Sequence, residues 1–225
     1  MLKELGKRLK RFFHSTTHIW LFSALTLNLT VYNCTRIFNK NLYHYDMTVD
    51  ADAVFPLLPW TIIIYLGCYL FWVANYACAC LQDDAREAKK FLISEISAKV
   101  VCCICFLAIP TTMTRPEVPG SDFWSAATRW LYDFDPADNL FPSIHCLTSW
   151  FCVIAVRKLK GIPLWYKLLS VLMALAVCLS TLTMKQHVLA DVFSGVFLAE
   201  GSYQITRLIF KLRSRSKKSG ETTRS

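Results

Sequence analysis

The sequence predicts an all-α fold, a polytopic membrane protein built as a bundle of six transmembrane helices. Its composition indicates the membrane class, because 54% of the 225 residues are hydrophobic and only 18% are charged. Soluble domains carry fewer apolar residues than this. The apolar residues also cluster in runs that approach the roughly 20 residues needed to cross a bilayer. The six runs cover residues 17–31, 55–81, 93–112, 143–156, 163–183 and 188–210.

The six runs differ in length and polarity. Run 17–31 follows a basic flank, like a signal sequence, but no small-residue cleavage site follows it, so we interpret it as a retained span. Run 143–156 is short, as run 17–31 is, and it carries polar residues. The remaining runs are long and nearly unbroken, and water could not cover so much apolar surface.

The placement of basic residues predicts the orientation of the bundle. The net charge is +9. One side of the predicted bundle receives most of the basic groups, in residues 1–15, 86–90, 157–160 and 211–218. The other side receives only Arg36, Lys40, Arg115, Arg129 and Lys185. Basic loops stay in the cytoplasm, so the sequence predicts an integral protein of the cell membrane with both termini cytoplasmic.

This distribution also argues against nucleic acid as a partner. No nucleic-acid recognition motif accompanies the charge. We therefore interpret the basic excess as a topology signal, with some attraction to anionic lipid headgroups.

Three segments follow along the chain. Residues 1–15 form a basic amphipathic segment, which suits either the inner headgroup surface or a solvated tail. Residues 16–212 form the membrane domain, and residues 213–225 are predicted to be a disordered basic tail. Within the domain, residues 114–141 are rich in acids and aromatics, which suits an interfacial anchor, the entrance for a lipid headgroup, or both.

The cysteines predict neither a metal site nor a cofactor. Most of the ten cysteines lie inside the apolar runs, where a thiol behaves as a small apolar side chain. Their spacing does not supply two Cys-x-x-Cys pairs, the arrangement typical of a structural zinc site.

Two histidines carry the predicted chemistry. His145 ends the sequence Phe-Pro-Ser-Ile-His, and His187 begins a run that reaches Asp191 four residues later. On a helix that spacing puts both side chains on one face, where the carboxylate can reach an imidazole nitrogen. A histidine oriented in this way acts as a nucleophile or a base.

The predicted topology brings more polar groups to the same membrane face as the histidines. The third run ends near Arg115 and the fifth near Lys185, whereas the fourth begins at Ser143. The two cations, Ser143 and the backbone N–H groups of that helix start would together bind an anion. The sequence thus predicts an extracytoplasmic active site.

Two imidazoles beside an anion site suit in-line phosphoryl transfer. His187 would attack phosphorus and form a phosphohistidine, with Asp191 orienting it and stabilising its charge. His145 would protonate the leaving oxygen and then act as base for the water that cleaves the intermediate.

These motifs resemble the signatures of the type 2 phosphatidic acid phosphatase (PAP2) superfamily. Pro-Ser-Ile-His at 142–145 resembles the second signature, and Ser180 with His187 and Asp191 resembles the third. Arg115 and the following proline resemble the end of the first. The resemblance implies a six-helix membrane bundle, metal-independent phosphatase or phosphotransferase activity, and Ser180 as a phosphate-site residue. The Phe-Pro-Ser-Ile-His form also resembles the branch of inositol phosphorylceramide synthase-like transferases.

The chain departs from the family pattern at the phosphate site. Ala108 and Thr181 stand where the resemblance implies a lysine and an arginine, and Ile144 stands where glycine is usual. Lys185, two residues before His187, is a candidate replacement for one missing cation.

Three functions fit these observations. The leading hypothesis is a phosphatase whose partners are the membrane and a lipid phosphate or diphosphate substrate. A phosphotransferase that passes a phospho-headgroup from a lipid to an alcohol is the second. A catalytically degenerate membrane protein on the same scaffold is the third, suggested by Ala108 and Thr181.

Overall fold

The computed structural model describes residues 17–80 and 85–222, and these are mainly helical. The predicted all-α class is confirmed, whereas the segment 1–15 lies outside the described residues. The α-helices are α1 (Thr17–Asn39), α2 (Ile62–Cys80), α3 (Ala85–Ala108), α4 (Phe123–Phe134), α5 (Ile144–Arg157), α6 (Leu164–Thr183) and α7 (Leu189–Thr222). Short 3-10 turns cover Asp50–Val54 and Pro59–Thr61, and β1 (Tyr45–Asp46) pairs in parallel with β2 (Thr111–Thr112).

Three helices of the described chain are long and apolar enough to cross a membrane. They are Pro59–Ala79, Ala85–Ala108 and Leu164–Thr183, and they overlap the second, third and fifth apolar runs. The other three runs are also helical, as α1, α5 and α7. Helix α5 has 14 residues and therefore rises only about 21 Å, less than the roughly 30 Å of a bilayer core. A bundle of six spans thus stays a prediction.

Helix α5 lies at the centre of the bundle. It packs against α2, α6 and α7, and most of its residues are buried. A mainly apolar helix suits such a position, and its Thr148 and Ser149 are buried with hydrogen-bond partners on α1 and α2. Ser143 caps its first turn by accepting the N–H of Cys146 at 3.3 Å. We therefore attribute the shortness of the fourth apolar run to its position in a helix that is surrounded by protein.

The loop between α4 and α5 is held against α1 by asparagine contacts. Asn139 adopts a left-handed conformation with φ of 51°, which asparagine tolerates better than most residues. Its Oδ1 accepts a hydrogen bond from Asn39 Nδ2 at 2.6 Å, and its Nδ2 donates to Thr35 Oγ1 at 3.0 Å. On the other side of the loop, Thr111 Oγ1 accepts the N–H groups of Leu140 and Phe141. These bonds determine where α5 begins.

The last helix is longer than its apolar run. Helix α7 continues to Thr222, into the segment for which the sequence predicts a disordered tail from residue 213. Neither glycine nor proline interrupts residues 202–219, and lysine, arginine and leucine in this stretch favour helix.

A buried ion pair joins the first three helices. Lys99 and Glu95 lie one turn apart on α3, both fully buried, with Nζ and Oε1 2.5 Å apart. Lys99 also donates to the carbonyl oxygen of Ala24 on α1, and Tyr76 on α2 donates its hydroxyl to Glu95. Charges this deep in a bundle persist only when they are paired.

Removing one member of this pair should destabilise the protein strongly. We expect Glu95→Ala to lower the free energy of unfolding by about 3–5 kcal/mol, because Lys99 is left as an unpaired buried charge. Replacing both residues with methionine removes the charges together and should cost much less. Thermal unfolding of the detergent-solubilised protein measures both effects. Equal melting of the single variant and the wild type would contradict this role.

Candidate active site

A cavity of about 460 Å³ contains both predicted catalytic histidines in its wall. His145 and His187 contribute to one side of it, together with Arg115 and Gln186. The rest of the wall comes from α1, α2 and the loop before α5. The structure thus brings together groups as distant in the chain as Thr26 and His187.

Asp191 orients His187 across the start of α7. His187 Nδ1 lies 3.2 Å from Asp191 Oδ2, and the same oxygen accepts the backbone N–H of Val188 at 3.0 Å. His187 itself lies just before the helix, so the contact is made by a first-turn carboxylate that reaches back. The pairing predicted from the four-residue spacing is present, although both residues were expected within one helix. Because Nδ1 is engaged by the carboxylate, Nε2 is the nitrogen left for chemistry.

His145 lies close to His187 and is packed among aromatic rings. The centroids of the two imidazoles are 5.9 Å apart. Tyr65 packs 4.6 Å from the His145 ring and Trp72 5.7 Å from it, which restricts its orientation. His145 Nε2 is buried and has no hydrogen-bond partner among the described residues.

The distance between the two histidines depends on a close approach of α7 to the start of α5. The backbone N–H of Ser143 donates to the carbonyl oxygen of Asp191 at 3.1 Å. One turn further along α7, a Cβ atom on Gly195 would lie 2.5 Å from the carbonyl oxygen of Ser143. Only glycine permits this approach without displacing one of the helices.

Arg115 supplies the cation of the site. Its Nη1 donates to the carbonyl oxygen of Asp135 at 2.6 Å, and its Nη2 donates to Gln186 Oε1 at 2.6 Å. Its guanidinium also lies over the ring of Tyr132, 4.6 Å from the centroid. Burial lowers the pKa of Arg115, and the nearby carboxylate of Asp135 opposes that shift. Arginine stays charged after such a shift, so the wall keeps a positive charge held in place from several sides.

The other predicted phosphate ligands lie outside the cavity wall. Ser143 is buried and uses its Oγ to cap α5, and Ser180 donates its hydroxyl to the carbonyl oxygen of Val177 within α6. Lys185, in a left-handed turn with φ of 51°, donates from Nζ to the carbonyl oxygen of Asp52 at 3.2 Å. These contacts engage the three side chains away from the two imidazoles.

The two positions that lack the family cations have ordinary structural surroundings. Ala108 is the last residue of α3 and is exposed. The carbonyl oxygen of Thr181 accepts the backbone N–H groups of Gln186 and His187, at 2.9 and 3.2 Å. Thr181 therefore shapes the turn that presents His187.

Gln186 is a site residue that sequence reasoning missed. Its Oε1 holds Arg115, while its Nε2 is buried without a hydrogen-bond partner in the described part of the chain. Its position directly before His187 was the available signal, since a buried amide beside a reactive histidine can donate to a bound anion.

The cavity wall also contains two carboxylates that sequence reasoning did not assign to the site. Asp135 accepts the hydroxyl of Tyr32 at 2.5 Å, and Asp138 pairs with Arg36 at 2.9 Å. Burial raises the pKa of Asp138, and the charge of Arg36 opposes this. The loop that holds them is the acid-rich stretch for which the sequence predicts an anchor or an entrance. This loop lines the cavity. Phe134, just before it, also lines the cavity and is exposed.

Adding a methyl group at Gly195 should therefore damage the site. We expect Gly195→Ala to destabilise the protein by about 1–3 kcal/mol. The same change should reduce turnover by about 10²-fold, since a shift of about 1 Å between α5 and α7 misplaces the histidines. Gly201→Ala on the same helix is the matched control, because its Cβ meets nothing within 4 Å. Melting and turnover of the two variants test this, and equal behaviour would contradict it.

Comparison with known proteins identifies the family. A family model described as the PAP2 superfamily matches residues 53–205. No curated protein and no solved structure matches the chain. The matched region covers more than half of the chain and includes α2 to α6 and the residues of the two-histidine wall. The chain therefore belongs to the PAP2 superfamily, as the signature motifs predict.

Proposed function

We propose that this protein is a membrane phosphatase that hydrolyses a lipid phosphate or diphosphate through a phosphohistidine intermediate, without a metal ion. Superfamily membership supports phosphatase or phosphotransferase chemistry in general. The observation that carries the proposal is the pair of imidazoles 5.9 Å apart in one cavity wall, with Asp191 bonded to one of them.

The residues divide the reaction between them. His187 attacks phosphorus through Nε2, and the bond from phosphorus to the leaving oxygen breaks as His145 donates a proton to that oxygen. Asp191 stabilises the positive charge that develops on the His187 ring. His145, now neutral, takes a proton from a water molecule that attacks the phosphohistidine. Free phosphate leaves, and both histidines return to their starting states.

The phosphate oxygens need donors in this mechanism. Arg115 and the Nε2 group of Gln186 are the candidates in the cavity wall, where they would stabilise the charge of the transition state. Ser143 contributes by capping α5, and Ser180 by packing within α6. Lys185 acts through its backbone carbonyl, which accepts the Nε–H of Arg115 at 3.2 Å. In this proposal Lys185 supports the phosphate site without replacing a missing cation.

The proposed bundle has six spans, with the site on the extracytoplasmic face. Helices α1, α5 and α7 would complete the three candidate spans, and exposed apolar side chains on α1 and α7 suit contact with lipid. The cavity lies at the C-terminal end of α3 and the N-terminal end of α7, whereas the basic groups lie at the opposite ends. By the positive-inside bias, those opposite ends and both termini are cytoplasmic.

The catalytic assignment is tested by histidine variants. Purified protein should release phosphate from lipid phosphates in the presence of a chelator, and His187→Ala should abolish this release because the nucleophile is lost. His145→Ala should lower turnover by about 10²–10⁴-fold through loss of the general acid.

His44→Ala is the matched control for these variants. His44 lies in the loop after α1, outside the cavity wall, and should leave turnover unchanged. Full activity of the His187→Ala variant would rule out the mechanism. If the wild-type protein turned over no lipid phosphate, the degenerate scaffold suggested by Ala108 and Thr181 would be the better description.

A phosphotransferase is the second candidate, favoured by the two carboxylates of the cavity wall. Asp135 and Asp138 line the same cavity as the histidines, where they could accept hydrogen bonds from an alcohol. An alcohol held there would replace water as the acceptor from the phosphohistidine, as in the inositol phosphorylceramide synthase-like branch suggested by the sequence.

A labelled lipid donor with inositol or diacylglycerol as acceptor separates the two candidates. A transferase should yield the labelled phosphate ester of the acceptor, and Asp135→Asn should shift its products towards hydrolysis because the acceptor is held less well. A product that is free phosphate with every acceptor would leave the phosphatase as the assignment.

A further inference from the structure

A second cavity lies at the opposite end of helices α3 and α7 from the histidines. It measures about 510 Å³, and we call it the basic cleft. Its cationic side chains are Arg86, Lys90, Arg207, Lys211 and Arg215. The proposed phosphatase activity uses none of them, and they belong to helices packed against each other.

The cleft is built on rigid elements. Arg86 at the start of α3 donates from Nη2 to the carbonyl oxygen of Phe210 on α7 at 3.0 Å, and also to the hydroxyl of Ser214. Lys90 lies 5.9 Å from the centroid of the Phe210 ring. Arg207 donates to Gln204 at 2.9 Å. The helices therefore set the spacing of these cations.

The described wall of the cleft concentrates positive charge. Among the residues that the structure describes in its wall, none is acidic, although Glu87 pairs with Lys90 beside it. Lys158 at the end of α5 responds to the same field. Burial lowers the pKa of Lys158, and the charge of Arg207 lowers it further. A site of this kind attracts a ligand with more than one negative charge.

The surroundings of the cleft favour a lipid as the source of that charge. Arg86 lies at the start of a candidate membrane span, so the cleft is level with the end of the apolar part of the bundle. On α7, Leu208 and Leu212 are about half exposed beside the cations, at 54% and 53%. Cations at headgroup level beside exposed apolar side chains can contact both parts of a phospholipid.

We propose that the basic cleft binds the headgroup of an anionic phospholipid with two phosphate charges, on the membrane face opposite the active site. Basic pockets between transmembrane helices are suited to such headgroups. The phosphates lie among the side chains of α3 and α7, and the acyl chains run along the apolar surface of α7. This binding depends on the membrane placement of the bundle and not on its catalytic activity.

Native mass spectrometry of the full chain in detergent tests the proposal. Titration with cardiolipin, the probe with two phosphates, should give tight binding, whereas phosphatidylcholine should bind weakly. The double variant Arg207→Ala with Lys211→Ala should bind cardiolipin about 30-fold more weakly, the equivalent of about 2 kcal/mol at about 1 kcal/mol per cation.

The matched control removes the same charge from positions outside the cleft, one on α3 and one on α7. Lys89→Ala with Arg213→Ala takes exposed cations that do not line the cavity, and it should change the affinity by less than about twofold. An equal loss in both double variants would show general surface attraction and overturn the cleft as a site.

Two further measurements test whether the ligand is a lipid and whether the alanine variant still folds. Displacement of cardiolipin by inorganic pyrophosphate at matching concentrations would point to a soluble anion and overturn the lipid assignment. The conservative pair Arg207→Lys with Lys211→Arg keeps the charge and should retain most of the binding, which separates lost charge from lost folding. Unaltered binding by the alanine variant would also overturn the proposal.

Discussion

The site depends on one close approach, that of helix α7 to the first turn of α5. Gly195 leaves room for the carbonyl oxygen of Ser143, and the Ser143 N–H donates to the carbonyl oxygen of Asp191. These backbone contacts place His145, the second residue of α5, close to His187, which lies two residues before α7. Backbone contacts suit this purpose because, unlike side chains, they have no rotamers to lose.

The polar groups around this junction differ in whether they line the cavity. Asp191 lies behind His187 and not in the cavity wall, so it can orient the ring and stabilise charge without meeting an anionic ligand. Arg115 is held by Asp135 and Gln186 at the edge of the same wall. The wall of the cavity therefore contains the guanidinium of Arg115, both imidazoles and the carboxylates of Asp135 and Asp138. Preorganised charge of this kind can stabilise a phosphoryl transition state.

The two ends of the molecule also carry different sites. Helices α3 and α7 carry the histidine cavity at one end and the basic cleft at the other. Between these ends, the buried pair of Glu95 and Lys99 joins α3 to α1 and α2. In the proposed bundle one pair of helices therefore links an outer site for chemistry with an inner surface for anionic lipid.

The sequence by itself determined the helical class and the family, and it singled out the two histidines that line one cavity. Long apolar runs indicate membrane helices because their composition needs no tertiary context, and the motifs around His145 and His187 are local patterns. The spacing of His187 and Asp191 predicted their contact for the same reason. Arg115, singled out from its position at the end of a run, lies in the wall of the same cavity.

Only the tertiary structure decided which other polar residues belong to the site. Ser143, Ser180 and Lys185 are near the histidines in sequence or topology, but caps and backbone contacts engage their side chains elsewhere. Gln186 and the carboxylates of Asp135 and Asp138 reach the cavity because of a turn and a loop whose paths depend on contacts with distant helices. Sequence shows which groups can do chemistry, whereas the direction of each side chain is set by long-range packing that a local pattern does not contain.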